Sequence, residues 1–222
     1  MAKPVWEASL EEFRRAAASS EPTPAGVAIA AASASYALGL LTKVALVSGR
    51  HKESAAHAAT LNSIAETAAA ESKRMLEFAE QDIAAFKAYI ASNRLTQSND
   101  REIEARRRAI LEAARRAIEI PLAAARSAAA GLELCVEATG LTRDSVLADL
   151  GAAATLLASA MRVFLMCANS NLRQLAPHSA SFGETFAERS DWENRANRNA
   201  ETVRNHVASA LNSLPGGSRG KP

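Results

Sequence analysis

The stretch "GVAIAAASASYALGLLTKVALV", residues 26–47, decides the fold class. It is apolar on every side, and Lys43 is its one charged residue. Such a segment is either a membrane span or the buried centre of a helical bundle. It is rich in Ala and Ser, which gain little from lipid, and Lys43 interrupts it. The composition therefore predicts a soluble bundle helix and no membrane partner.

Working outward, the same grammar repeats. Pro22 and Pro24 form a turn that ends a first helix over about 5–18 and starts the second at Thr23 or Pro24. Gly26 and the small residues after it open that second helix. A helix start favours negative charge, and small side chains let a ligand come close to it. Close packing explains the same residues, so both readings stand. Ser48 and Gly49 end the helix before the basic run Arg50, His51, Lys52. A long third helix covers about 53–92. Ser98, Asn99 or Asp100 caps a fourth, which meets Pro121, expected to kink or divide it, and ends near Gly140. Thr142 or Asp144 starts a fifth that reaches Leu175. "APHSASFG" (176–183) reads as a loop. A polar sixth helix over about 184–214 is expected to pack through few residues, with a disordered tail over 215–222.

The fold class predicted is all-α: one antiparallel bundle of long helices over 1–214. The chain has 222 residues, 48% hydrophobic and 23% charged, within the globular range. A net charge of +2 is too weak a bias for nucleic acid. Cys135 and Cys167 match no metal-ligand spacing and read as thiols in a reducing, cytoplasmic compartment. No signal peptide, Gly-rich phosphate loop, nucleophile elbow or zinc-type His pair is present.

Two segments carry candidate chemistry. In "MLEFAEQDIAAFKAYI" (75–90), Met75, Phe78, Ala79, Ile83, Phe86, Tyr89 and Ile90 form an apolar stripe at helical spacing. Asp82 lies inside it, four residues from both Phe78 and Phe86. A carboxylate there is either paired across the bundle or pushed up toward the range useful for acid–base catalysis. In the fifth helix Asp149 and Cys167 share a face, and Asn171 lies one turn further on. Asp149 and Asn171 are about 33 Å apart along the axis. They serve different sites, or a symmetric dimer brings opposite ends together, or each is satisfied by a neighbouring helix. Arg50, His51 and Lys52 form a basic cluster that is either an anion subsite or a solvated loop.

In order and spacing these pieces resemble the cyclodeaminase/methenyltetrahydrofolate cyclohydrolase family, from about residue 10 to residue 175. The carrying motifs are "PTPAG" with Gly26, "GRHK" after a small-residue helix, "DIAAF" with Asp82, "IPL" with Pro121, and "DLGAAA" followed by Arg162 and Asn171. The sequence departs from the family pattern at Ala25 and Val27 in a glycine triplet, at Ala148 for Ser, and at Cys167 for Asn.

The resemblance implies a helical homodimer that acts on a folate one-carbon unit, with no tightly bound cofactor and no metal. It implies Asp82 as the acid–base group. Thr23, Pro24 and Gly26 would border the pterin, with Arg50, His51 and Lys52 at the glutamate tail and Asp149, Cys167 and Asn171 as further binding positions. The expected reaction is hydrolysis of 5,10-methenyltetrahydrofolate to 10-formyltetrahydrofolate. The absence of a formiminotransferase-like segment favours this over cyclodeamination. A divergent enzyme for another cyclic amidine or imine, and a non-catalytic scaffold dimer, are the other readings.

Overall fold

The apolar stretch becomes α2 (Gly26–Gly49), and one face of it is buried at every turn, from Val27 through Leu38 and Leu41 to Ala45. The computed structural model describes residues 4–175 and 185–213. Around α2 come α1 (Leu10–Ala17), α3 (Ala58–Asn93), α4 (Asp100–Ala138), α5 (Leu147–Leu175) and α6 (Thr185–Ser213), with no strand among the described residues. The expected loop 176–183 and tail 215–222 lie outside them.

Helices α2, α3, α4 and α5 form a closed ring of neighbours in chain order, and α6 lies against α4 and α5. Side-chain pairings fix the directions. Lys43 meets Asp149 at one end of the α2–α5 pair, while Gly26 meets Cys167 at the other, so the pair is antiparallel. On α3 and α4, Ser127 hydrogen-bonds to Glu71, and Arg106 to the Asn93 carbonyl, again antiparallel. This is an up-down-up-down bundle.

Its core is rich in alanine, and Leu38, Leu41, Leu132, Leu157, Met161 and Phe164 are among its large buried side chains. Each of these contributes about 2 kcal/mol on burial. The alanines contribute less each but let backbones close up. Gly131 is the extreme case: a Cβ there would sit 2.9 Å from Leu38 Cδ2 and 3.1 Å from Leu157 Cδ1. The sixth helix packs, as expected, through a narrow stripe of Ala196, Ala200, Val203 and Val207. Arg195–Glu133 (2.7 Å) and Arg126 over the Trp192 ring fasten its edge to α4.

One expectation is corrected, and one of the two alternatives at Pro121 is removed. The first helix is not continuous over 5–18. A 3-10 turn, Val5–Glu7, precedes α1. Ser9 then starts α1 with a full capping box: its hydroxyl takes the Glu12 N–H, and Glu12 returns a bond to the Ser9 N–H. A cap residue has non-helical backbone, so it divides what periodicity alone joins. Pro121, by contrast, does not divide α4, which runs unbroken from Asp100 to Ala138. Proline removes the bond to the carbonyl four residues earlier, at Ala117. Asn171 of α5 fills that vacancy, its amide donating to the Ala117 carbonyl at 2.8 Å.

Helices Gly26–Gly49 and Asp144–Arg173 are both long and apolar enough to cross a membrane by length and composition. In the bundle, 56% and 50% of their apolar windows are buried.

Candidate active site

Three elements converge at one end of the bundle. α2 begins at Gly26 behind Ala25, whose side chain offers no cap, so the first-turn N–H groups lack a side-chain acceptor. α5 crosses that start closely. A Cβ on Gly26 would stand 3.1 Å from Cys167 Sγ and 3.8 Å from Val163 Cγ1. Any other residue there would need Cys167 to give by a few tenths of an ångström. α3 brings Asp82 to the same place, close enough for its charge to act on Cys167.

Asp82 is half-buried, at the rim of the apolar stripe. Met75, Phe78 and Ala79 before it are fully packed, whereas Ile83, Phe86 and Ile90 are partly open. Burial pushes the Asp82 carboxyl up from 3.8 to about 6. Among the described residues, no hydrogen bond or ion pair holds that carboxylate. It is therefore not the paired structural Asp that the sequence left open. Burial, and then the Asp82 charge, push the Cys167 thiol up as well. Cys135 is pushed to about 12 by burial alone. Neither thiol has the lowered pKa of a nucleophile.

A cavity of about 550 Å³ opens between α1, the 23–24 turn and α3, and Asp82, Gly26 and Cys167 are not among the residues that line it. Thr23, Pro24, Phe13 and Ile83 supply its mostly apolar walls, with Glu12, Glu80 and Lys87 as its charged lining. Both carboxylates are occupied. Glu80 accepts from the Val5 N–H at 2.5 Å, tying the N-terminal segment to α3, and Glu12 serves the α1 cap. Lys87 is the cation in this lining. Phe13, Ile83 and Lys87 are not singled out as site residues by sequence. Ile83 reads as core and Lys87 as solvated face, and only the placement of α1 turns them into walls.

The structure thus brings Thr23, Pro24, Gly26, Asp82 and Cys167 together. Of the remaining candidates only Asn171 is near this end, one turn of α5 beyond Cys167. Arg50 caps the far end of α2, about 36 Å from Gly26 along the helix, and His51 follows it. The backbone of Lys52 is there too, with its side chain outside the described ones. Asp149 is at that far end, bound to Lys43 at 2.6 Å. Asn171 is on the near half of α5, its amide engaged by Ala117. Arg162 bonds Asn197 of α6 at 2.6 Å, on the bundle's outer side. No group of three or more His, Cys, Asp or Glu suited to a metal occurs among the described residues.

With fold and site in view, comparison with known proteins is direct. No curated protein matches the sequence. Among solved structures the chain is similar to the formiminotetrahydrofolate cyclodeaminase of Thermotoga maritima. The TM-score is 0.79 at 20% identity, over 93% of this chain and 99% of that one. At that identity the likeness establishes the all-helical fold. The sequence pattern of the formiminotransferase-cyclodeaminase family matches residues 9–189. That span takes in every residue of the site, and the chain belongs to the formiminotransferase-cyclodeaminase family.

Proposed function

We propose that the protein hydrolyses 5,10-methenyltetrahydrofolate to 10-formyltetrahydrofolate, with Asp82 as the acid–base group. The observation that carries this is the unpartnered, half-buried Asp82 with its pKa near 6, next in the chain to Ile83 of the cavity wall. The substrate is a cation delocalised over two nitrogens, N5 and N10, and their bridging carbon. A carboxylate in a site of low polarity attracts that cation. Asp82 takes a proton from water as its oxygen bonds to the bridging carbon. The carbon–N5 bond then breaks, and Asp82 returns the proton to N5. The formyl group stays on N10. One proton is released overall, and no metal is needed for either step. The uncapped N–H groups at the start of α2 suit a carbonyl oxygen of the pterin, and Phe13, Pro24 and Ile83 suit its flat apolar face.

A second reading is favoured by the similar structure, which is named as a cyclodeaminase. There N10 attacks the formimino carbon of 5-formiminotetrahydrofolate, and ammonia leaves with a proton from the same acid. Both reactions pass through one carbon between the two nitrogens, so one carboxyl serves either. The test is to offer both folates to the wild type and to Asp82→Asn, following methenyl absorbance and ammonia release. Methenyl loss without ammonia chemistry supports the hydrolase. Ammonia release supports the deaminase. No turnover and no calorimetric binding of either folate refutes the folate reading.

A further inference from the structure

Among the described residues two arginines lie over aromatic rings, and both line the same cavity. Arg74 of α3 stands 5.5 Å from the Phe78 ring centre, and Arg126 of α4 stands 5.4 Å from that of Trp192. The cavity, about 310 Å³, opens between α3 and α4, with Glu71, Ala123, Ser127 and Ala130 as its other lining. Ser127, which is buried, donates to Glu71 and so pins the two helices together at the cavity floor. Arg74 is three residues after Glu71, and Arg126 is one before Ser127 on a helix running the other way. Both arginines therefore lie to the same side of that bond, about 3 Å apart along the axis. A guanidinium resting on a ring is held in place while its N–H edge stays free. Arg126 has no hydrogen bond or ion pair among the described residues. Arg74 makes a long contact, 3.4 Å, with Glu71.

We propose that this cavity binds a small phosphate monoester, its phosphate held between Arg74 and Arg126, at a site that shares no residue with the one around Asp82. The chemistry selects the ligand. Each guanidinium offers a two-pronged edge that matches two oxygens of an oxyanion. A carboxylate has two oxygens and satisfies one fork, whereas a phosphate monoester has three free oxygens and can be shared by two. Glu71 is the one acid in the lining. The Ser127 hydroxyl holds it at the floor, with its side chain 20% exposed, so two cations face one shielded carboxylate. An arriving phosphate draws Arg74 from its long contact and leaves the Ser127–Glu71 bond in place. Ala123 and Ala130 keep the space open, since a larger side chain at either would fill it. The organic part of the ester has a place as well. Across Arg126 lies a second cavity of about 200 Å³, lined by Trp192, Asn199 and the Arg195–Glu133 pair. Arg126 and Ala130 border both cavities. A ring or short chain there would lie against the indole. None of this depends on the folate reading.

Trp192 lies under Arg126 and reports on it. The chain has two tryptophans, so in Trp6→Phe the indole signal comes from Trp192 alone. This variant is titrated with phenyl phosphate in about 0.15 M salt, where exposed charges are largely screened. Its fluorescence is expected to change with a Kd below about 1 mM. Inorganic phosphate is expected to compete, and benzoate to bind at least about tenfold more weakly. Arg126→Lys keeps a cation over Trp192 but has no fork, so α6 should hold its place while phenyl phosphate binds at least about tenfold more weakly. Arg74→Lys, which does not touch α6, is expected to do the same. Affinity unchanged in both lysine variants would overturn the inference, because any cation would then suffice. Benzoate binding as tightly as phenyl phosphate would overturn the choice of a phosphate. Calorimetric binding with no change at Trp192 would place the anion elsewhere, and no binding at about 10 mM would leave the site without a ligand of this class. Either result refutes the proposal.

Discussion

Asp82 departs from ordinary behaviour in a way that stability measurements detect without any substrate. Its folded pKa is raised, from 3.8 to about 6, so the folded chain holds this proton more tightly than the unfolded one. The stabilising effect is full below about pH 4 and is lost as pH rises through 6. Above that, an unpaired carboxylate is left in a site that favours the neutral form. Asp82→Asn keeps the size and carries no charge. It is expected to be more stable than wild type at pH 8 by on the order of 2 kcal/mol in urea, with the gap closing toward pH 4. A gain that ignores pH would show that burial of the charge is not the cause. Gly26 is the second residue with a specific demand on its neighbour. Gly26→Ala would place a Cβ 3.1 Å from Cys167 Sγ. It is expected to cost about 1 kcal/mol, and most of that cost should vanish in a Cys167→Ala background. Asp82 was legible in the sequence because an acidic residue four positions from two phenylalanines breaks an apolar stripe. Cys167 was legible as a position on one face of α5 and as a departure from a family pattern, but nothing local says that α5 touches Gly26.

At the scale of the helices, length and boundaries follow from local rules wherever the rule is local. Asn99 caps α4 and accepts the Glu102 N–H at 3.0 Å, as its position before a charged turn implies. Pro121 shows where local rules end. Its effect on α4 depends on Asn171 of α5, which bonds the Ala117 carbonyl, fifty-four residues before it, that proline leaves free. This pairing accounts for Asn171 structurally, and its removal should destabilise rather than only weaken substrate binding. Asn171→Ala is expected to cost about 1–2 kcal/mol, since it strands a carbonyl inside the bundle. In a Pro121→Ala background, where the helix can bond that carbonyl itself, the cost should fall well below half. Equal costs in both backgrounds would place the role of Asn171 elsewhere.

The molecule as a whole is an alanine-packed ring of four helices with a fifth long helix laid on its outside. That architecture was readable from one apolar segment and the turns around it, because helix length and polarity leave few alternatives. What could not be read was which candidates share an end. Helix length already separates Arg50 from Gly26, but the meeting of Asp82, Gly26 and Cys167 requires the crossing of three helices. Close approach also sets the tolerance of the core. Gly131→Val would drive a side chain into Leu38 and Leu157, at 2.9 and 3.1 Å for the first carbon alone. It is expected to lower stability by about 2–3 kcal/mol in a single cooperative transition, because α2, α4 and α5 meet there. Independent melting of one helix would argue against a common core.

The most direct test of the central claim is the pH dependence of kcat/KM for 5,10-methenyltetrahydrofolate, corrected for the uncatalysed rate, in wild type and Asp82→Asn. The account predicts acceleration that rises with pH through a limb near 6 and falls by at least about 100-fold in the variant. Acceleration that persists in Asp82→Asn, or a wild type no faster than buffer, would contradict it.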